Sequence, residues 1–277
     1  MFSIQSLIEN IRQKISLQMV NSFEVEIIIS RVTGISRASI KARIEQHIDA
    51  THAQQIIKLC QQRAEGVPIA YLFNEREFWG LSLYVDERVL IPRHETELII
   101  EYCLEKYALD SLVRCIDLGT GSGAIALALA KNFSKWEITA VDQSKSALVV
   151  AKNNANNLQI DNVQFIQSSW FQQVEQKQFD LIISNPPYIA ENDQHLQKGD
   201  LRYEPYQALA AKHNGLKALQ EIILSSPHYL VLGGMLILEH GYDQGDAVQQ
   251  LLKEQGFSSI LTHQDYASLD RYTTAIR

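Results

Sequence analysis

The chain has 277 residues, a length that predicts roughly two domains at about 150 residues each. Hydrophobic residues make up 46% of it and charged residues 21%, a balance that excludes a disordered or fibrous protein. With 25 Lys plus Arg against 32 Asp plus Glu, the net charge of −7 argues against a general nucleic-acid binder, which draws its affinity from neutralising phosphates.

Three cysteines, Cys60, Cys103 and Cys115, form no C-x-x-C pair, so neither a disulfide framework nor a zinc finger is expected and a cytoplasmic setting is. No apolar run reaches the roughly 18 residues of a membrane span. The N-terminus lacks a basic segment and Glu9 interrupts its apolar stretch, so no signal peptide is expected.

The first 65 or so residues read as helices. Ile4, Leu7, Ile8, Ile11 and Ile15 share one helical face. Ser22 is placed to cap a helix through Phe23 to Ile29, Gly34 to break the chain, and Ser36 to cap a helix carrying Ile40 and Ile44. A further helix is expected over Ala53 to Ala64, ended by Gly66 and Pro68. The block reads equally well as a partner-recognition module or a packing appendage.

From Phe78 to Ile91, Leu81, Leu83 and Val85 alternate with Ser82 and Tyr84, which predicts a strand or hairpin ended by Pro92. From Glu95 the chain reads as helix again. Strands are then expected over Val113–Leu118, Ile138–Val141, Val163–Ile166, Phe179–Ser184 and Met235–Glu239, with two short ones near Ser259–Leu261 and Tyr272–Ile276. Helices are expected between them over Ala124–Lys131, Ser146–Asn157, Gly215–Leu224 and Ala247–Glu254. Alternating β and α units imply an α/β domain, a mostly parallel sheet with helices on both faces. Three parts follow: a helical block at 1–73, a hairpin linker at 74–93 and the α/β domain at 94–277.

Asp117-Leu118-Gly119-Thr120-Gly121-Ser122-Gly123 stands where the first sheet strand meets its helix. Glycines there permit a tight turn and close approach of a ligand to the backbone. Asp142 ends the second strand, where an acid can accept both hydroxyls of a ribose. Gly119, Gly121 and Ala124 also satisfy the relaxed dinucleotide pattern G-x-G-x-x-G/A, so the loop alone does not choose the nucleotide. Asp117 favours a cationic ligand over a pyrophosphate, and S-adenosylmethionine carries an amino group, a sulfonium and a ribose.

Asn185-Pro186-Pro187-Tyr188 follows the fourth strand, beside the glycine loop. Two prolines stiffen the turn. The Asn185 side-chain carbonyl and the Pro186 backbone carbonyl can then accept from one planar amino group, with Tyr188 as a wall. Both dipoles would favour the positive charge that builds on a nitrogen attacking a methyl sulfonium.

Order and spacing of these motifs resemble the class I S-adenosylmethionine-dependent methyltransferases. More closely, the chain resembles the HemK/PrmC release factor glutamine methyltransferases. Pro68-Ile69-Ala70-Tyr71-Leu72, Arg76-Glu77-Phe78-Trp79, Leu90-Ile91-Pro92-Arg93 and Glu95-Thr96-Glu97 match that family's linker region. The Gly119 to Ala128 loop and helix match, as do Ser184 to Ile189, Glu204-Pro205 and Glu239-His240-Gly241. His94 stands where the family often has proline, with little consequence expected.

The resemblance implies a class I methyltransferase (Rossmann-like) seven-stranded sheet and N5-methylation of the glutamine in the Gly-Gly-Gln loop of class I peptide chain release factors. It implies that Gly119, Thr120, Gly121, Ser122, Gly123, Asp142, Trp170 and Asn185 hold S-adenosylmethionine, with S-adenosylhomocysteine as product. Trp170 would lie against the adenine. Asn185, Pro186 and Tyr188 would be catalytic, and Asn185, Pro186, Pro187 and Tyr188 would line the glutamine slot. The N-terminal block would dock the release factor. No metal, no direct nucleic acid and no membrane are expected, and the chain is expected to be monomeric.

A DNA adenine-N6 methyltransferase shares the tetrapeptide, but would need base flipping and a basic duplex-binding surface. A non-catalytic adaptor is disfavoured by the intact Asn185 and glycine loop. The long connection Ala190–Asn214 suits a lid or a solvated loop, with Arg202, Glu204 and Pro205 candidates to cover the substrate. Metal chemistry at His94 with Glu95 and Glu97, or at Glu239 with His240, is not expected, and Cys115 reads as packing.

Overall fold

The computed structural model describes residues 2–15, 20–175 and 178–277, and divides the chain into two compact units, 1–74 and 75–277. The hairpin therefore groups with the second unit rather than standing as a separate linker.

The first unit carries helices α1 (Ile4–Lys14), α2 (Ser22–Thr33) and α3 (Ala50–Glu65). Ile4, Leu7, Ile11, Ile28, Ile29 and Ile56 close its core from three helix faces. The caps sit elsewhere than the sequence suggested. Asn21, not Ser22, caps α2, in a reciprocal box with Glu24. Such a box satisfies two orphan N–H groups at once, so it outcompetes a lone hydroxyl one residue later. Asp49 caps α3, which starts earlier than Ala53, and Gly66 ends it in the left-handed conformation. Ser36 occupies a cap position but its hydroxyl bonds Ser39 instead, and the helix it opens is one turn long, Arg37–Ile40. Arg63 of α3 pairs with Glu24 of α2 at 2.8 Å.

The second unit opens with the hairpin β1 (Arg76–Phe78) and β2 (Leu81–Leu83), shorter than the alternation suggested because the turn falls at Trp79-Gly80. Helix α4 (Glu97–Lys106) follows. Then come β3 (Arg114–Leu118), α5 (Ala124–Asn132), β4 (Glu137–Asp142), α6 (Lys145–Leu158), β5 (Val163–Gln167) and β6 (Phe179–Ser184). The last elements are α7 (Lys217–Ser225), β7 (Leu230–Glu239), α8 (Gly245–Glu254), β8 (Ser258–Gln264) and β9 (Asp270–Ile276). β7 begins five residues before Met235, through a register shift between Leu230 and Met235.

The seven strands lie in the order β8-β9-β7-β6-β3-β4-β5. Only β9 runs against its neighbours. Strand residues alternate between two cores. Cys115, Leu181, Ile183 and Ile237 join one, with α4, α5 and α6. Ile116, Ile182, Leu236 and Leu238 join the other, with α7 and α8. Phe78, Leu81 and Leu83 of the hairpin enter the first core.

Chain order runs outward from β3 in both directions, through β4 and β5 on one side and β6 and β7 on the other. The order thus reverses between β3 and β6. Ligands in open α/β sheets bind beyond the carboxyl ends of the strands at such a reversal.

Candidate active site

The adjacent strands β3 and β6 pair in parallel through Leu118 and Ser184, so the glycine loop and the tetrapeptide leave the sheet side by side. The Ser184 hydroxyl donates to the Leu118 carbonyl at 2.6 Å and holds the two exits together. Gly119, Gly121 and Gly123 all have positive φ, at 78°, 56° and 87°. At Gly123 a Cβ would press on Leu127 at 2.9 Å, so this glycine also lets α5 pack closely.

Gly119, Gly121, Asp142, Trp170, Asn185 and Pro187 line an open cleft of about 760 Å³. That size lies in the range of small-molecule sites. Asp142 faces it with both oxygens already anchored: Oδ2 accepts from Gly121 N at 2.9 Å and Oδ1 from Ser144 N at 2.8 Å. Each oxygen keeps a free lone pair for a ligand hydroxyl. Burial raises its pKa, opposed by those two backbone bonds. Trp170 sits in the left-handed region at φ 48°, a strained place for an aromatic residue, and its Nε1 donates to Glu221 at 2.9 Å.

Thr120, Ser122 and Gly123 stand apart from the cleft wall. Thr120 and Ser122 are 6% and 2% exposed, and Thr120 donates its hydroxyl to Asp117 at 2.7 Å. Asp117 is itself buried behind the loop, and burial raises its pKa to about 7. It braces the loop from within, so its charge contributes less to ligand choice than its position in sequence suggested.

Asn154 of α6, which the sequence did not mark, clamps the loop. Its Nδ2 donates to the carbonyls of Ser122 and Tyr84, and its Oδ1 accepts from Tyr84 N. No spacing rule exposes it, because its partners lie 32 and 70 residues away.

Asn185 also borders a second cavity, of about 720 Å³, with Pro186, Tyr188, Arg93, Glu239 and Arg271. Asn185 thus borders both spaces, as do Leu90 and Ala208. The tetrapeptide is braced from outside: Gln244 Nε2 donates to the Tyr188 carbonyl at 3.0 Å. Gly215, at φ 85°, passes so near that a Cβ would lie 2.0 Å from the same oxygen.

Glu204, one of the residues proposed to cover the substrate, is buried and fixed. It accepts from Arg93 at 2.6 Å and from Ile91 N at 2.9 Å. The Ala190–Asn214 connection is built of short turns and a two-residue parallel ladder with Ile189–Ala190, rather than being a bare loop. Glu239 ends β7 at 2% exposure, and burial raises its pKa to about 7. Tyr188 Oη donates to its Oε1 at 3.4 Å. His240 is engaged on both ring nitrogens, by Gly241 O and Thr273 Oγ1, and burial lowers its pKa.

Among the described residues, no cluster of three or more His, Cys, Asp or Glu is placed to hold a metal. No helix there is long and apolar enough to cross a membrane. The cysteines are buried, and burial pushes the thiols of Cys60 and Cys103 up to about 12.

Residues 13–73 match the family model of the PrmC N-terminal domain, and residues 96–200 that of the methyltransferase small domain. The chain is 44% identical over 250 residues to the release factor glutamine methyltransferase of Salmonella typhimurium, covering 90% of each. It is 39% identical over 278 residues to that of Coxiella burnetii, covering 100% of each. Among solved structures, the hMettl16 catalytic domain in complex with an RNA hairpin superposes with a TM-score of 0.59 at 16% identity, covering 95% of this chain and 93% of that one. A 16S rRNA methyltransferase of T. thermophilus in complex with AdoMet and guanosine gives 0.56 at 17% identity, covering 73% and 49%. At such identities these two structures speak for the fold.

Proposed function

The chain belongs to the release factor glutamine methyltransferase family, and from that premise we propose how its residues methylate the side-chain amide of a release-factor glutamine. The donor in this reading is S-adenosylmethionine, which supplies a methyl group on a positively charged sulfur. Asp142 would accept its ribose hydroxyls, Trp170 would flank its adenine, and Gly119 and Gly121 would hold it from the loop. Support for the fit comes from the cleft itself: an anchored carboxylate, an aromatic side chain and a glycine with nothing within 4 Å of its would-be Cβ share one wall.

The glutamine enters the second cavity. Asn185 Oδ1 and the Pro186 carbonyl accept the two amide hydrogens and turn the nitrogen toward the cleft. Pro186 and Tyr188 form the walls, while Pro187, expected in the slot, lies on the cleft side. Positive charge grows on the nitrogen as the bond forms, and the two carbonyl dipoles stabilise it. The nitrogen loses its proton after transfer, so no strong base is needed beforehand. Holding the reactants in line contributes up to roughly 7–11 kcal/mol in favourable cases.

One observation carries this reading: Asn185 borders both the cleft and the slot. The first unit, with a core of its own, is assigned to release-factor docking. A chain of residues 1–74 added in excess should then compete with the full chain and slow methylation; no competition would remove that assignment. Methyl transfer to a DNA adenine is the reading set aside, because the net charge of −7 gives little to bind a duplex.

A further inference from the structure

The cleft and the slot meet at Asn185, Leu90 and Ala208, which border both. The transferred methyl passes between these residues, so their spacing sets the line of attack. Asn185 directly follows β6 and is placed by the sheet. Leu90 and Ala208 lie outside the sheet. Leu90 comes after the hairpin, and Ala208 belongs to the one-turn helix Tyr206–Leu209.

Three links close a ring around this passage. A short parallel ladder pairs Ile189 with Ala210 and Ala190 with Ala211, joining the tetrapeptide to the end of that one-turn helix. Asn185 Nδ2 donates to Thr96 Oγ1 at 3.1 Å, joining the tetrapeptide to the segment after Leu90. Glu204 makes the third link. Its Oε2 accepts from Ile91 N at 2.9 Å and its Oε1 from Arg93 Nη2 at 2.6 Å. Ala208 N donates to the Pro205 carbonyl at 2.9 Å, so Ala208 stands one turn from the backbone that carries this carboxylate. The Glu204 side chain is fully buried. Opening either of its bonds would leave a buried charge or donor unpaired, so the link is stiff.

We propose that Glu204 is a positioning residue that holds Leu90 and Ala208 at the spacing methyl transfer requires. The proposal rests on the reading of the two cavities as donor cleft and glutamine slot. Glu204 itself borders neither space. It acts through the walls of the passage, by tying the segment after the hairpin to the connection that follows the tetrapeptide.

The test uses the full chain with a full-length release factor, measuring kcat, KM, S-adenosylhomocysteine affinity and the urea midpoint. Glu204→Gln keeps the buried volume but offers one acceptor oxygen in place of two. Glu204→Asp keeps the charge but falls short by about 1.5 Å, the length of one C–C bond. Each should lower kcat roughly 10- to 100-fold at saturating substrates, the scale of a site misplaced by about 1 Å. KM and S-adenosylhomocysteine affinity should stay within about threefold, because Gly119, Gly121 and Asp142 are held by strand ends that the link does not touch. A lower urea midpoint with parental kcat in both variants would show a merely structural role and overturn the proposal. So would a loss confined to KM or to S-adenosylhomocysteine affinity. A Glu204→Asp with parental kcat beside a slow Glu204→Gln would also overturn it, since charge and not reach would then be what matters. These outcomes are read against Asn185→Ala in the same assay: a near-normal Asn185→Ala would instead overturn the reading beneath the proposal.

Discussion

In the proposed mechanism Asn185 carries the most weight, because it borders both the cleft and the second cavity. Its replacement by alanine should cost roughly 100- to 1,000-fold in kcat, the scale of one lost dipole in a preorganised site. S-adenosylhomocysteine should still bind. Asp142→Ala should weaken S-adenosylhomocysteine binding roughly 10- to 100-fold, the loss of hydrogen bonds to a charged group; unchanged affinity in a calorimetric titration would mean that the ribose is held elsewhere. The place of both residues on the cleft was legible in sequence, because Asp142 ends its strand and Asn185 directly follows one. The contacts that Thr96 and Glu239 make to the tetrapeptide, and Asn154 to the glycine loop, were not legible. Their partners lie far along the chain and meet only once the sheet has formed.

Among elements, the strands and helices of the sheet could be read from alternation and helical period. Strand hydrophobicity on both faces and glycine at the strand–helix turn are local signals. Boundaries and caps were harder. Asn21 caps in place of Ser22, and Asp49 starts its helix ahead of the expected Ala53, because a cap is chosen by which side chain reaches an orphan N–H, not by residue type alone. The bracing of the tetrapeptide was equally hidden, since Gly215 and Gln244 approach it from two other segments. Gly215→Ala should destabilise the second unit by at least about 2 kcal/mol, because the φ is left-handed and the new methyl meets backbone that cannot move aside. Urea denaturation would show it as a lower midpoint; an unchanged midpoint would mean that the tetrapeptide can shift.

For the whole molecule, two buried acids couple stability to pH. Asp117 and Glu239 have folded pKa values of about 7, against 3.8 and 4.5 as ordinary references. Between those values the folded state holds protons that the unfolded chain has released. Their contribution is therefore full below the lower values and is lost as pH rises through about 7. His240 works the other way: its pKa is lowered, so its share is lost as pH falls below about 6.5. Asp117→Asn should remove up to about 1.4 kcal/mol per pH unit of falling stability between about pH 5 and 7. A denaturation series across that range with an unaltered slope would show that Asp117 titrates normally.

The net charge of −7 first excluded a broad class of partners, and beside the tetrapeptide it separates a protein amide from a DNA base. That separation is the central claim, and it can be measured in one assay. The chain is incubated with labelled S-adenosylmethionine and a full-length class I release factor, then with the same factor carrying alanine in place of its Gly-Gly-Gln glutamine. Label on the first factor and none on the second is the predicted result. Equal label on both, or label on duplex DNA instead, would contradict the account.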